Sequence, residues 1–175
     1  MLPLELDLAK IEKLSIKREN ENYSFRAFLK GKEIDKVDKI VHRLHREITA
    51  KINCQECGNC CISLVPRVKE NEIAFLAELD KVTVEEFIRD NLELDNFDNS
   101  LFLIHTPCRY LDGKSCSIYD NRPLECKAYP YTHRPGFVSR TLNMISNYGI
   151  CPIVFNLMEN LKEETDFKSS RYTWR

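Results

Sequence analysis

A mainly helical α+β fold follows from three features of the chain. These are a long amphipathic stretch near residues 33–50, a segment from Cys108 to Cys116 folded about Asp112-Gly113, and cysteines dense enough to tie separate elements together. With 175 residues, 43% hydrophobic content and few glycines, the chain suffices for one small, compact domain with a real core and a short β-hairpin. The expected division is an N-terminal extension over 1–32, a cysteine-rich domain over 33–168 and a polar tail over 169–175.

Taken in order, Leu2, Leu4, Leu6 and Leu8 alternate along the chain and predict a short edge strand. From Glu33 to Ala50, the residues Ile34, Val37, Val41, Leu44 and Ile48 recur at three- and four-residue intervals, the signature of a helix with one apolar face. That helix delivers the chain to Cys54. His42 and His45 border its stripe and read as surface or boundary histidines. Ile62 to Val68 reads as extended chain interrupted by Pro66, and a helix from Glu70 to about Leu79 follows, packing through Ile73, Phe75, Leu76 and Leu79. Thr83-Val-Glu-Glu86 has the spacing of a capping box and opens a helix to about Leu92. Asn91 to Ser100, acidic and polar, reads as a surface loop before the apolar run from Leu101 to Ile104. Asp112-Gly113 is a favoured two-residue turn and brings Cys108 and Cys116 onto facing arms. Pro123 and Pro152 suit the first position of helices. The first of these holds Cys126; the second starts just after Cys151 and carries Ile153, Phe155, Leu157, Met158 and Leu161.

The chemistry lies in the cysteines. Cys54, Cys57, Cys60 and Cys61 fall within eight residues, and Cys108, Cys116, Cys126 and Cys151 follow. Thiolates this close are most easily satisfied by sharing a soft metal ion. A disulfide framework is the rival for an even cysteine count. The N-terminal residues Met1 to Leu8 have no positive region, long apolar core or small-residue cleavage site, so the expected location is the reducing cytoplasm. Adjacent Cys60 and Cys61 also make poor disulfide partners for each other. Eight cysteines equal two four-thiolate sets, which either Zn²⁺ or a cubane iron–sulfur cluster accepts. The series Cys54, Cys57, Cys60, with Cys151-Pro152 downstream, leans toward an iron–sulfur cluster of the 4Fe-4S type, one or two in number, with Zn²⁺ as the alternative. In an extended chain Cys60 and Cys61 point opposite ways, so either they serve two neighbouring centres, the predicted case, or one of them is not a ligand.

A four-thiolate centre carries a net charge of about −2, so a nearby cation stabilises it. Arg109, Lys114, Arg122 and Lys127 flank the cysteines; Arg122 is the candidate contact to the cofactor, while both lysines read as solvated charge. His105 and His133 read as structural or surface residues, and Tyr119, Tyr129 and Tyr131 as walls of the metal region. The formal net charge of −1 gives no basis for a nucleic-acid surface, and no apolar run approaches membrane-spanning length. No phosphate loop, nucleophile elbow or paired-carboxylate signature marks a reaction, so the expected partner is another protein.

Cys54-x-x-Cys-x-x-Cys-Cys61, then Thr106-Pro-Cys108 and the long run from Cys116 through Asn121-Arg-Pro-Leu-Glu-Cys126 to Pro130, resembles the YkgJ-type cysteine-cluster family, described as zinc- or iron-chelating. The resemblance implies metal chelation by Cys54, Cys57, Cys60, Cys61, Cys108, Cys116 and Cys126, to which Cys151 is added from its Cys-Pro context. Flagellin lysine methylases are similar in carrying such a cysteine run, although this chain shows no visible site for a methyl-transfer cofactor. Three roles therefore stand as expectations. They are electron transfer or a redox-accessory function on iron–sulfur, a zinc-supported structural or protein-interaction module, and a metal-dependent modifying enzyme.

Overall fold

The computed structural model describes residues 1–169, so all of the expected tail except Ser169 lies outside the described residues. Along the chain run helices α1 (Leu8–Lys17), α2 (Glu19–Lys30) and α3 (Ile34–Thr49), then the short turns α4 (Cys54–Cys57) and α5 (Asn59–Ser63). Strand β1 (Arg67–Val68) leads into helices α6 (Glu70–Asp80) and α7 (Val84–Asn91). Strands β2 (Leu92–Leu94), β3 (Leu101–Leu103), β4 (Leu111–Asp112) and β5 (Ser115–Cys116) follow, and helices α8 (Leu124–Ala128), α9 (Thr141–Tyr148) and α10 (Pro152–Glu164) complete the order. The fold is mainly helical α+β, as the sequence predicts. Its contacts divide the chain into two units: residues 1–53 with 130–175, and the continuous stretch 54–129.

The first unit is helical. Pro152 begins α10 at a position where its missing N–H costs nothing, and the helix that follows is buried on nearly every side, through Ile153, Val154, Phe155, Leu157, Met158 and Leu161. Against it lies the stripe Val37, Val41, Leu44 and Ile48 of α3, all buried; Ile34, expected on the same face, is exposed at the helix start. Burying a side chain of this size stabilises by roughly 1.5–3 kcal/mol, so this pair of helices supplies much of the unit's core. Several polar groups inside it are paired. Lys162 is buried with its ammonium 2.6 Å from Glu21 and 2.7 Å from Glu159, and the Tyr148 hydroxyl donates to Glu159 at 2.6 Å.

The N-terminal alternation proves not to be a strand. Helix α1 begins at Leu8, capped by the Asp7 carboxylate, which accepts from the Lys10 N–H. Residues ahead of it run beside α10, where Asn156 accepts from the Glu5 N–H and donates to the Glu5 carbonyl, and Asn160 accepts from the Leu2 N–H. Side-chain amides thus supply the hydrogen bonds that a neighbouring strand would have given. Residues 8–30 form α1 and α2 and bury Ile11, Phe25 and Leu29.

The second unit holds a three-stranded sheet with helices α6 and α7, the β4–β5 hairpin and the short helices α4, α5 and α8. Strand β3 lies between β1 and β2, antiparallel to both, with Phe102 opposite Arg67 and Glu93. Part of the expected 91–100 loop therefore pairs as β2, because Leu92 is buried on the sheet. Helix α6 packs through Ile73, Leu76 and Ala77, while Phe75 and Leu79, expected in the core, stay exposed; the stripe runs i, i+3, i+4 from Ile73. Helix α7 starts on the expected capping box, with the Thr83 hydroxyl accepting from the Glu86 N–H and Glu86 accepting in return from the Thr83 N–H. Val68, Ile73, Leu76, Phe87, Leu103 and Tyr110 form its core, against which Cys108, Cys116 and Ile118 pack.

Candidate metal centre

The cysteine run folds as two helical turns joined by one glycine. Cys54 and Cys57 share a face of α4, Gly58 breaks the turn with a φ of +63°, and α5 carries Cys60 and Cys61. A Cβ at position 58 would also stand 2.5 Å from the Lys114 carbonyl oxygen, so the close approach of this turn to the hairpin needs the hydrogen of glycine. Two hydrogen bonds hold it there. The Ser115 hydroxyl donates to the Gln55 carbonyl at 3.0 Å, and the Cys108 N–H donates to the Cys61 carbonyl at 2.7 Å.

The hairpin itself is shifted by one residue from its expected turn. Asp112 pairs with Ser115 and Leu111 with Cys116, leaving Gly113 and Lys114 as the loop. Gly113 has a φ of +59° and takes the first loop position because that position requires a left-handed backbone. Tyr110 anchors the hairpin's entrance to the end of α6, its hydroxyl donating to Asp80 at 3.2 Å, and Asp80 also pairs with Arg109 at 2.9 Å. Burial raises the Tyr110 phenol well above its usual range, which keeps it a donor.

Cys126 is delivered by α8. Pro123 precedes this helix as its cap, one position earlier than expected, and the next N–H, from Leu124, donates to Glu72 at 2.7 Å. The other oxygen of Glu72 accepts from the Lys69 N–H at the start of α6. Glu72 therefore positions the helix that carries Cys126, a role with no motif in the sequence to announce it.

Seven thiols of the second unit form one electrostatic group centred on Cys61. Cys61 lies 4.0 Å from Cys60, sulfur to sulfur, and both belong to a helical turn. The expectation that they point opposite ways was drawn for extended chain, and the backbone here is a helical turn instead. Cys61 is lowered to about 7, first by its hydrogen bond with Cys60 and further by the Arg122 guanidinium. Cys54, Cys108, Cys116 and Cys126 are all raised, chiefly by loss of water around the sulfur, and each rises further from negative charge on Cys61. Cys57 joins the set through its charge on Cys54. Burial, then the neighbouring thiols Cys108, Cys61 and Cys116, push Cys126 up to about 12.

Arg122 opposes this crowding at Cys54, Cys61, Cys116 and Cys126, and its guanidinium lies 3.7 Å from the Tyr119 ring centroid. Cys151 stands in the first unit, buried at the start of α10, where its carbonyl accepts from the Phe155 N–H at 2.9 Å. Tyr131 also belongs to the first unit, stacked with Arg134, while His105 is exposed.

All eight cysteines are free thiols. Among the described residues, no three Cys, His, Asp or Glu side chains already stand at metal-ligand separations. The donor set is soft, anionic on ionisation and accompanied by a guanidinium, which suits zinc and iron and disfavours hard ions such as Mg²⁺ or Ca²⁺.

A family profile described as "CxxCxxCC: Putative zinc- or iron-chelating domain" matches residues 53–152. Among curated proteins, the uncharacterized protein MJ0661 of Methanocaldococcus jannaschii is 31% identical over 83 residues, covering 46% of this chain and 44% of that protein. The match thus spans less than half of the relative's length. No solved structure matches the chain.

Proposed function

Because the chain belongs to the CxxCxxCC family of zinc- or iron-chelating domains, we propose that residues 54–129 hold an iron–sulfur cluster of the 4Fe-4S type, in an electron-transfer or redox-accessory role toward a protein partner. The observation that carries this reading is the convergence of the thiol charges on Cys61 with Arg122 beside four of them. Seven thiols exceed the needs of one tetrahedral ion, so the set offers four ligands with sulfurs to spare. The cluster, when bound, supplies one-electron redox chemistry. Cys54, Cys57, Cys60, Cys61, Cys108, Cys116 and Cys126 are the candidate ligands; Arg122 balances their charge and so sets how readily the site accepts an electron. Cys151 remains a candidate from sequence only.

A specific feature favours zinc as the second reading. The core of this unit is thin, built on short strands and two helices, and a structural ion would contribute folding energy without chemistry. The two readings separate on anaerobically purified protein. Brown colour, broad visible absorption bleached by dithionite and stoichiometric iron are the expected result. Colourless protein with stoichiometric zinc would assign the structural role, and protein holding neither metal after anaerobic reconstitution would defeat both.

A further inference from the structure

Away from the thiols, α3 presents a second stripe. Asp38, His42 and His45, spaced i, i+4 and i+7, share one helix face, and the chain returning from the thiol-bearing unit is fastened to it. The Asp38 carboxylate accepts from the Gly136 N–H at 2.6 Å and from the Phe137 N–H at 2.9 Å. His45 Nδ1 bonds the buried Thr132 hydroxyl at 2.8 Å, and the His45 and His133 rings lie 5.6 Å apart between centroids. The His42 Nε2 is buried without a hydrogen-bond partner.

Cations surround these imidazoles. Arg46 acts on His45 from α3, and Arg134 and Arg140 act on His133 from the returning segment, with Arg140 fixed to the carbonyls of Tyr131, Arg134 and Pro135. Helix α2, which also packs on residues 137–140, brings Arg26 with its Nε buried, and α9 brings no charged side chain. Arg43 of α3 is engaged with Glu47 of the same helix and with Glu164 of α10. Asp38 is the carboxylate facing the group.

We propose that His45 and His133 form an acid-released clasp, which holds residues 130–140 on α3 while both imidazoles are neutral and frees that segment when they gain protons. Two imidazolium rings 5.6 Å apart repel each other and the neighbouring Arg46, Arg134 and Arg140. Burial and the neighbouring cations hold His45 and His133 below the ordinary histidine value of about 6.5. A histidine so lowered favours the clasped state fully above that value; as pH falls through it, the released segment binds more protons and the clasp weakens. The clasp stands independently of the metal reading.

The test is amide hydrogen exchange on the full chain at pH 7.5 and 5.5, each rate referred to the intrinsic rate at that pH. Protection at Gly136 and Phe137 should fall about tenfold or more at pH 5.5 while amides in the middle of α10 keep theirs. The double variant His45→Gln, His133→Gln should hold its protection between the two values. If the double variant does not fold, the exposed single change His133→Gln should reduce the fall at least threefold. Unchanged wild-type protection at pH 5.5, or an undiminished fall in a folded variant, would overturn the clasp.

Discussion

Cys61 and Cys126 are chemically the same side chain, and their surroundings place them at opposite ends of the thiol range. A hydrogen bond from Cys60 and the charge of Arg122 bring Cys61 to about 7, whereas burial among three other thiols pushes Cys126 to about 12. In metal-free protein, iodoacetamide should therefore label Cys61 first, with a rate rising through pH 7, and Cys126 last. Peptide mapping after short exposures at pH 6, 7 and 8 checks the order, and equal labelling of the two at pH 7 would contradict it. The grouping of the cysteines was legible from sequence because they declare themselves by spacing. Their inequality was not, since it depends on which sulfur meets which cation after folding. Glu72 shows the same limit: nothing in Lys69-Glu-Asn-Glu72 reveals that its carboxylate will hold the Leu124 N–H fifty-two residues away.

At the level of elements, local signals performed well where they were self-contained. The α3 stripe, the Thr83 capping box and the Pro152 helix start each stand where the sequence places them. Signals that need a distant partner were misread. The Leu2–Leu8 alternation looks like a strand but is served by Asn156 and Asn160, and the hairpin turn moved one residue because Gly113 alone meets its backbone demand. Gly58 joins two elements and offers a sharp test. Gly58→Ala adds a left-handed alanine, costing about 1–2 kcal/mol, and a methyl 2.5 Å from the Lys114 carbonyl. Urea unfolding should show a loss of about 2 kcal/mol or more, together with weaker metal retention. A loss under about 0.5 kcal/mol would mean that the α4 turn does not lie against the hairpin.

For the molecule as a whole, the contacts set residues 54–129 as one continuous unit between two segments of another. The sequence reading drew a single cysteine-rich domain over 33–168, because helical stripes on either side of the cysteines give no sign that they pack with each other. If metal supports the inserted unit, removing it should act unevenly. Chelation under reducing conditions should strip amide protection from β3 and α7 by tenfold or more while leaving the centre of α10 protected. Uniform loss across both units would show that the metal holds the entire chain. Among the described residues no helix is long and apolar enough to cross a membrane.

The pairing of α3 with α10 has a consequence for biosynthesis. Some hundred residues separate Thr49 from Pro152, so at ~5–20 residues per second the apolar face of α3 leaves the ribosome about 5–20 s before its mate exists. Through that interval Val41, Leu44 and Ile48 are a natural landing place for a chaperone, and the cysteine-bearing stretch emerges while they wait. A nascent chain halted before residue 152 would be the form that such a helper grips most firmly.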